Sequence, residues 1–156
     1  MRKFLSLLLS LAMVLSLSVT TFAAETDILI APAPTAAQEM AGKTVILHSN
    51  DVHGAVEGYA YIAALKADYE AKGAEVILVD AGDYSQGTTY VSTTKGADAV
   101  AMMNAVGYDV AVPGNHDFDY RTENFFKLIE KAEFPFISCN FLDQNGNTIL
   151  DPYFIK

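Results

Sequence analysis

Short apolar runs alternate along the chain with segments whose apolar residues recur at helical spacing. Four runs rich in β-branched, aliphatic or aromatic residues are predicted as buried strands: 44–47, 75–79, 109–112 and 134–141. Three helices are predicted from apolar positions three or four residues apart: Ile62, Leu65 and Tyr69; Val100, Met103 and Val106; Phe125, Leu128, Ile129 and Ala132. This alternation predicts an α/β fold with a parallel sheet.

Turn-forming residues mark the ends of these elements. Gly73 and Gly107 follow the first two helices, at the position where a left-handed residue commonly ends a helix. Asn145-Gly146 predicts a hairpin between the fourth strand and a short partner at 148–150. The apolar residues at 153–156 predict the start of one more strand.

The first 24 residues have the features of a secretory signal peptide. Arg2 and Lys3 precede an apolar stretch, 4–19, which is interrupted only by serines and followed by small residues. A membrane anchor is the alternative, but the stretch is short for a bilayer span and its serines weaken it. We expect cleavage after residue 24, a Pro- and Ala-rich linker at 25–42 and a domain at 43–156. The mature protein would be secreted or extracytoplasmic, without stable membrane insertion.

Charge and cysteine content limit the partners that the protein can bind and the disulfides and metal sites that it can form. The chain carries 10 basic and 19 acidic residues, and two of the basic ones, Arg2 and Lys3, lie in the predicted signal peptide. Such an acidic surface would repel the phosphates of nucleic acids and of anionic lipids, so neither is an expected partner. The single cysteine, Cys139, excludes a disulfide framework and a cysteine-based zinc site within the chain. Its apolar neighbours predict a buried, inert thiol.

Polar side chains follow the first three predicted strands, at the point where each strand ends. Asp51 and His53 come after the first strand, Asp83 after the second, and Asn115 and His116 after the third. Because the carboxyl ends of parallel strands meet at one edge of a sheet, we expect these side chains to lie together. Carboxylate, amide and imidazole donors suit divalent ions such as Mn, Zn, Fe, Mg or Ca.

Each of these residues also has a simpler interpretation when taken alone. Asp119 precedes the third helix and could be its N-cap, Asn115 could favour a left-handed turn, and His116 could be an exposed loop residue. His48 lies before the first loop and is interpreted as structural. The ordered recurrence of such residues at equivalent strand ends favours a functional site over separate coincidences.

The motifs HSNDVHG (48–54), DAGD (80–83) and GNHDFD (114–119) resemble the first three sequence blocks of the calcineurin-like metallophosphatases. Together with MNAVGYD (103–109), they are similar to the branch that contains 5′-nucleotidases and UDP-sugar hydrolases. The resemblance implies a metallophosphoesterase-type sandwich, in which β-sheet layers are flanked by helices. Residues 43–156 would form the N-terminal half of that catalytic domain.

The resemblance also implies a site with two divalent metal ions. Asp51 and His53 would hold one ion, Asp83 would bridge both, and Asn115 would hold the second. His116 would face the scissile phosphate as a catalytic residue, and Asp119 would orient it. The family supplies three further histidine ligands, including a Gly-His-x-His block, whereas this chain has only His48, His53 and His116.

The expected function is that of a secreted phosphoesterase that hydrolyses phosphate esters of nucleotides or similar small molecules. Because histidine ligands of the family are missing, we expect the chain alone to be inactive. A related 2′,3′-cyclic phosphodiesterase or thiosulfohydrolase stays open as an alternative, as does a non-catalytic extracellular module that binds a metal or another ligand. A Rossmann dinucleotide protein is disfavoured, because no G-x-G-x-x-G motif follows any predicted strand.

Overall fold

The computed structural model of the chain describes residues 40–156. The predicted signal peptide and most of the predicted linker therefore lie outside the described residues. Within residues 40–156, no helix combines the length and the apolar character that a membrane span requires.

In the described part of the chain, three parallel strands form the sheet, in the spatial order β1-β2-β3. They are β1 (Thr44–Ser49), β2 (Glu75–Asp80) and β3 (Val110–Ala111). The first three predicted strands are thus confirmed, although β3 is only two residues long. Ser49 pairs with Asp80, and Asp80 pairs with Ala111, so the carboxyl ends of all three strands are level. The loops that leave these ends start side by side.

Within residues 40–156, four α-helices connect and follow the strands: α1 (Glu57–Ala71), α2 (Thr89–Thr93), α3 (Ala97–Val106) and α4 (Thr122–Ile129). The three predicted helices correspond to α1, α3 and α4, and Gly107 caps α3 in a left-handed conformation. Of the apolar positions that predicted α1, Ile62 packs against the core, whereas Leu65 is 39% exposed; the buried position of the helix is Tyr59. Inward-facing positions of α1 begin one turn earlier, at Tyr59, and continue through Ile62.

The predicted fourth strand is wrong as a continuous element. Residues 134–141 contribute two isolated bridges, Ala111 with Phe136 and Ile137 with Asp151. Pro135 has no N–H to donate to a ladder, and the Ser138 hydroxyl receives the amide N–H of Phe141, which bends the chain. The predicted hairpin around Asn145-Gly146 is reduced to one antiparallel bridge, and residues 153–156 form no strand.

The predicted burial of Cys139 is also wrong, because its thiol is exposed. The prediction assumed that the apolar neighbours of Cys139 lie on one extended strand. In the structure Phe136 is buried and Phe141 is partly buried, while the bend between them turns Cys139 outward.

The core lies between the sheet and the helices and is rich in aromatic residues. Its largest fully buried side chains are Tyr84, Phe125, Leu78, Met103, Leu128, Val91 and Val100. Phe125 contacts Phe118, Phe136 and Phe141 with ring centroids 4.8 to 6.2 Å apart. These contacts hold the segment after β3 against α4, which fixes the loop that carries the third sequence motif.

Candidate metal centre

The loop after β1 carries Asp51 and His53 in left-handed backbone conformations, with φ values of 54° and 46°. Both residues are fixed by the loop after β2: the Asp51 N–H donates to the Gly82 carbonyl and the His53 N–H to the Asp83 carbonyl, each at 3.0 Å. Left-handed non-glycine residues are strained and persist where the surroundings determine them, often at functional sites. The two loops therefore hold each other in an otherwise disfavoured shape.

The loop after β2 places Asp83 at the centre of the site. Asp83 is also left-handed, with φ 62°, and only 7% exposed. Its Oδ1 atom accepts the His116 backbone N–H at 2.7 Å, which joins it to the loop after β3. A Cβ atom on Gly114 would lie 2.2 Å from that same Oδ1, so only glycine allows this approach.

The side chains of Asp51, His53 and Asp83 converge on one point. One ligand atom from each lies within 4.8 Å of the others. The Asp51 Oδ1 atom is 3.4 Å from His53 Nε2. Two atoms that each lie ~2.1 Å from one divalent ion are ~3.0 to 4.2 Å apart, so this pair fits a shared ion. Within residues 40–156, no other group of acidic, histidine or cysteine side chains converges in this way.

His116 lies beside this group. Its ring centroid is 5.3 Å from that of His53, and its Nδ1 atom is 2.9 Å from Asp119 Oδ2. The hydrogen bond to Asp119 raises the pKa of His116 above the ordinary value, which favours the protonated imidazole. The alternative role of Asp119 as an N-cap fails, because Arg121 holds that position of α4.

Asn115 and His48 occupy different surroundings. Asn115 opens a short 3₁₀ helix, Asn115–Phe118, and is exposed in a depression that it shares with Phe118, Ser138, Asn140 and Phe141. The next residue along the chain, His116, donates its backbone N–H to Asp83, so Asn115 is next in sequence to a residue that contacts the converging group. His48 lies within β1, paired with Val79, and is not part of that group.

Asp117 is a structural residue of the site that the sequence argument missed. It is fully buried, and its carboxylate accepts four backbone N–H groups at 2.8 to 3.2 Å, from Gly114, Asp83, Tyr84 and Ser85. Burial raises its pKa, and the hydrogen bonds act in the opposite direction. This one side chain joins the loop after β2 to the loop after β3. Its place inside the GNHDFD motif was the available signal.

A second buried carboxylate, Asp80, lies just behind the site. Ser49 Oγ donates to Asp80 Oδ2, Gly82 N–H donates to Oδ1, and the Tyr108 hydroxyl is 2.8 Å from Ser49 Oγ. Burial raises the pKa of Asp80 from 3.8 to about 6. A folded-state pKa above the unfolded value means that the folded protein binds the proton more tightly, so the contribution of Asp80 to stability is lost as pH rises.

Asp80→Asn should therefore remove the pH dependence that Asp80 gives to the free energy of unfolding. Between pH 4 and 7, the wild-type free energy of unfolding should fall relative to that of the variant by about 2 kcal/mol, because this window begins above the unfolded pKa of 3.8 and misses part of the ~3 kcal/mol that the whole shift represents at ~1.4 kcal/mol per pKa unit. Urea unfolding at several pH values, in the presence of a chelator, measures the difference. Parallel pH profiles for the two proteins would show that Asp80 is not held in a proton-binding environment.

Comparison with known proteins is consistent with this geometry. The arrangement is that of an α/β protein with a candidate divalent-metal centre at the carboxyl ends of its strands. Residues 44–154 match the family model described as calcineurin-like phosphoesterase, and the chain belongs to this family. The resemblance noted from the motifs is thereby confirmed, as is the fold class.

Among curated proteins, the 5′-nucleotidase of Vibrio cholerae is 35% identical over 125 residues, which cover 72% of this chain and 23% of that protein. The snake venom 5′-nucleotidase of Gloydius brevicauda is 38% identical over 112 residues, 61% of this chain and 19% of that protein. The chain thus spans about a fifth of the length of these relatives.

Solved structures give the same fold. A calcineurin-like phosphoesterase of Bacillus subtilis superposes with a TM-score of 0.61 and 25% identity, over 71% of this chain and 41% of that one. A sulfate thiohydrolase of Thermus thermophilus superposes with a TM-score of 0.58 and 28% identity, over 67% of this chain and 19% of that one. Similarity to both kinds of hydrolase leaves the substrate open.

Proposed function

We propose that the chain supplies part of the catalytic site of a secreted phosphoesterase that uses two divalent metal ions and acts on phosphate esters of nucleotides. The observation that carries the proposal is the convergence of Asp51, His53 and Asp83 within 4.8 Å, next to His116. Asp51, His53 and Asp83 would hold one ion, and Asp83 with Asn115 would hold the second. Mn, Zn, Fe, Mg and Ca all suit these donors.

Bound ions would neutralise phosphate charge and lower the pKa of a water molecule, which provides a nucleophile at neutral pH. Side chains of the protein would position the proton that the leaving oxygen needs. Asp119 accepts the Nδ1–H of His116, so the Nε2 atom of that ring is free to hold a proton for the leaving oxygen or to donate a hydrogen bond to the phosphate. The raised pKa of His116 favours this donor form.

The proposal includes secretion, which the pattern of residues 1–24 supports. Mass spectrometry of the exported protein should find a mature N-terminus at Glu25. A membrane-embedded product that retains Met1 would contradict this part.

A chimera tests the activity. Residues 44–154 would replace the matching segment of the Vibrio cholerae 5′-nucleotidase, and phosphate release from 5′-AMP would be measured with and without Mn²⁺. We expect Mn²⁺-dependent turnover in the chimera and little or none in the isolated chain, because Asp83 and the neutral amide of Asn115 are too few donors for the second ion. In the chimera, His116→Asn should lower kcat ~100- to 1,000-fold while bound metal is retained, since its role lies in the transition state.

Metal analysis of the same proteins separates the outcomes. A folded chimera that binds metal but releases no phosphate would contradict the phosphoesterase proposal and favour a module that only binds metal. If His116→Asn removes the metal, the role given to His116 is wrong. Because a sulfate thiohydrolase is among the structural neighbours, release of sulfate from a thiosulfate-bearing substrate should be assayed in parallel.

A further inference from the structure

The ring edge of His53 that is turned away from Asp51 contacts the side chain of Gln86. The Gln86 carboxamide nitrogen is placed 2.9 Å from His53 Nδ1. Nε2, the other ring nitrogen, is the one 3.4 Å from Asp51 Oδ1. The imidazole is therefore held between a carboxamide on one side and the converging carboxylates on the other.

The backbone around Gln86 is fastened to the same histidine. The Thr88 N–H donates to the His53 carbonyl at 3.1 Å, and Thr88 Oγ1 donates to the Gly54 carbonyl at 2.9 Å. Gly87, which lies between Gln86 and Thr88, has φ 129°, and a Cβ atom on it would lie 2.0 Å from the His53 carbonyl oxygen. Only glycine lets the segment approach so closely, and this approach brings the Gln86 side chain onto the ring.

We propose that Gln86 is a positioning residue of the metal centre, which fixes the tautomer of His53 and the direction of its ring. This inference rests on the proposed metal site. A neutral imidazole carries one N–H, so Nε2 can bind a metal only if the proton is on Nδ1. That proton needs an acceptor. Rotation of the Gln86 carboxamide by 180° about its Cγ–Cδ bond exchanges its oxygen and nitrogen atoms, which puts the Gln86 Oε1 atom next to His53 Nδ1.

Asp51 does not fix the opposite tautomer. The 3.4 Å between its Oδ1 and His53 Nε2 is long for a hydrogen bond, whereas the Gln86 contact at 2.9 Å has ordinary length. Metal-binding histidines generally donate their second N–H to such an acceptor, and loss of the acceptor weakens metal affinity ~10- to 100-fold. Gln86 provides that acceptor from the loop that also carries Asp83.

The test compares Gln86→Leu, Gln86→Glu and the matched control Gln144→Leu, which makes the same change in the exposed turn after residue 143. Zn²⁺ affinity is measured by calorimetry on the whole chain. Gln86→Leu should weaken binding ~10- to 100-fold. Gln86→Glu should bind within about threefold of wild type, because a carboxylate accepts the same Nδ1–H. Gln144→Leu should bind as wild type does.

Imidazole ¹⁵N chemical shifts supply a readout that simple misfolding would not mimic, and the chain has only three histidines to assign. In the wild-type protein, the His53 proton should be on Nδ1 both without and with Zn²⁺, and Gln86→Leu should mix the two tautomers in the metal-free state. A wild-type His53 protonated on Nε2 would overturn the inference, even if the leucine variant failed to fold.

The outcomes also separate this inference from the proposed function. Wild-type protein that binds no Zn²⁺ through His53 would overturn the metal site, and the role of Gln86 with it. If the wild type binds Zn²⁺ through His53 but Gln86→Leu has the same affinity and the same tautomer, the metal site stands and the role of Gln86 is wrong.

Discussion

Asp117→Ala is expected to destabilise the fold by about 4 kcal/mol, within the ~3–5 kcal/mol that loss of one partner of a buried charged pair costs. The substitution would leave four backbone N–H groups without an acceptor, on the two loops that follow β2 and β3. Each buried donor left unsatisfied costs ~1–3 kcal/mol, and water that enters the vacated space would recover part of the total. Urea unfolding of the metal-free protein measures the change.

Asp143→Ala is the matched control, because Asp143 also accepts backbone N–H groups, from Asn145 and Asn147, but in an exposed turn. Water replaces the lost acceptor there, so the cost should stay within ~1 kcal/mol. Equal losses for the two variants would mean that the buried carboxylate does not hold the loops together.

Asp83→Asn should reduce affinity for Mn²⁺ at least ~100-fold, because it removes the one buried anionic ligand of the group. The change is expected to leave the fold intact. Asparagine tolerates the left-handed conformation of this position, and its Oδ1 can still accept the His116 N–H. Calorimetric titration with Mn²⁺ measures the affinity, and an unfolding curve without metal checks the fold.

Asp68→Asn serves as the control for this variant, because Asp68 lies on α1 in an ion pair with Lys72, away from the converging group. It should bind Mn²⁺ as the wild type does. Wild-type affinity in Asp83→Asn would show that Asp83 is not a ligand and therefore cannot bridge two ions.

The elements that could be predicted from the sequence are those determined by local patterns. Apolar runs identified all three strands of the sheet, and Gly107 marked the end of α3. The meeting of Asp51, His53 and Asp83 followed from topology alone, since parallel strands present their carboxyl ends at one edge.

What the sequence could not predict depends on contacts between distant segments. Asp117 accepts N–H groups from residues 32 to 34 positions earlier in the chain, and Gln86 meets His53 across 33 positions. No local pattern reveals such partners. The fourth strand and the burial of Cys139 were wrong for the related reason that a proline and a serine bend a segment whose composition favours a strand.

The most direct test of the metal centre is an anomalous difference map from crystals of this chain grown with Zn²⁺. A peak should lie between the carboxylates of Asp51 and Asp83 and Nε2 of His53, and it should be absent from crystals of Asp83→Asn. Well-ordered crystals that contain Zn²⁺ elsewhere but show no peak between these three side chains would contradict the proposed metal centre.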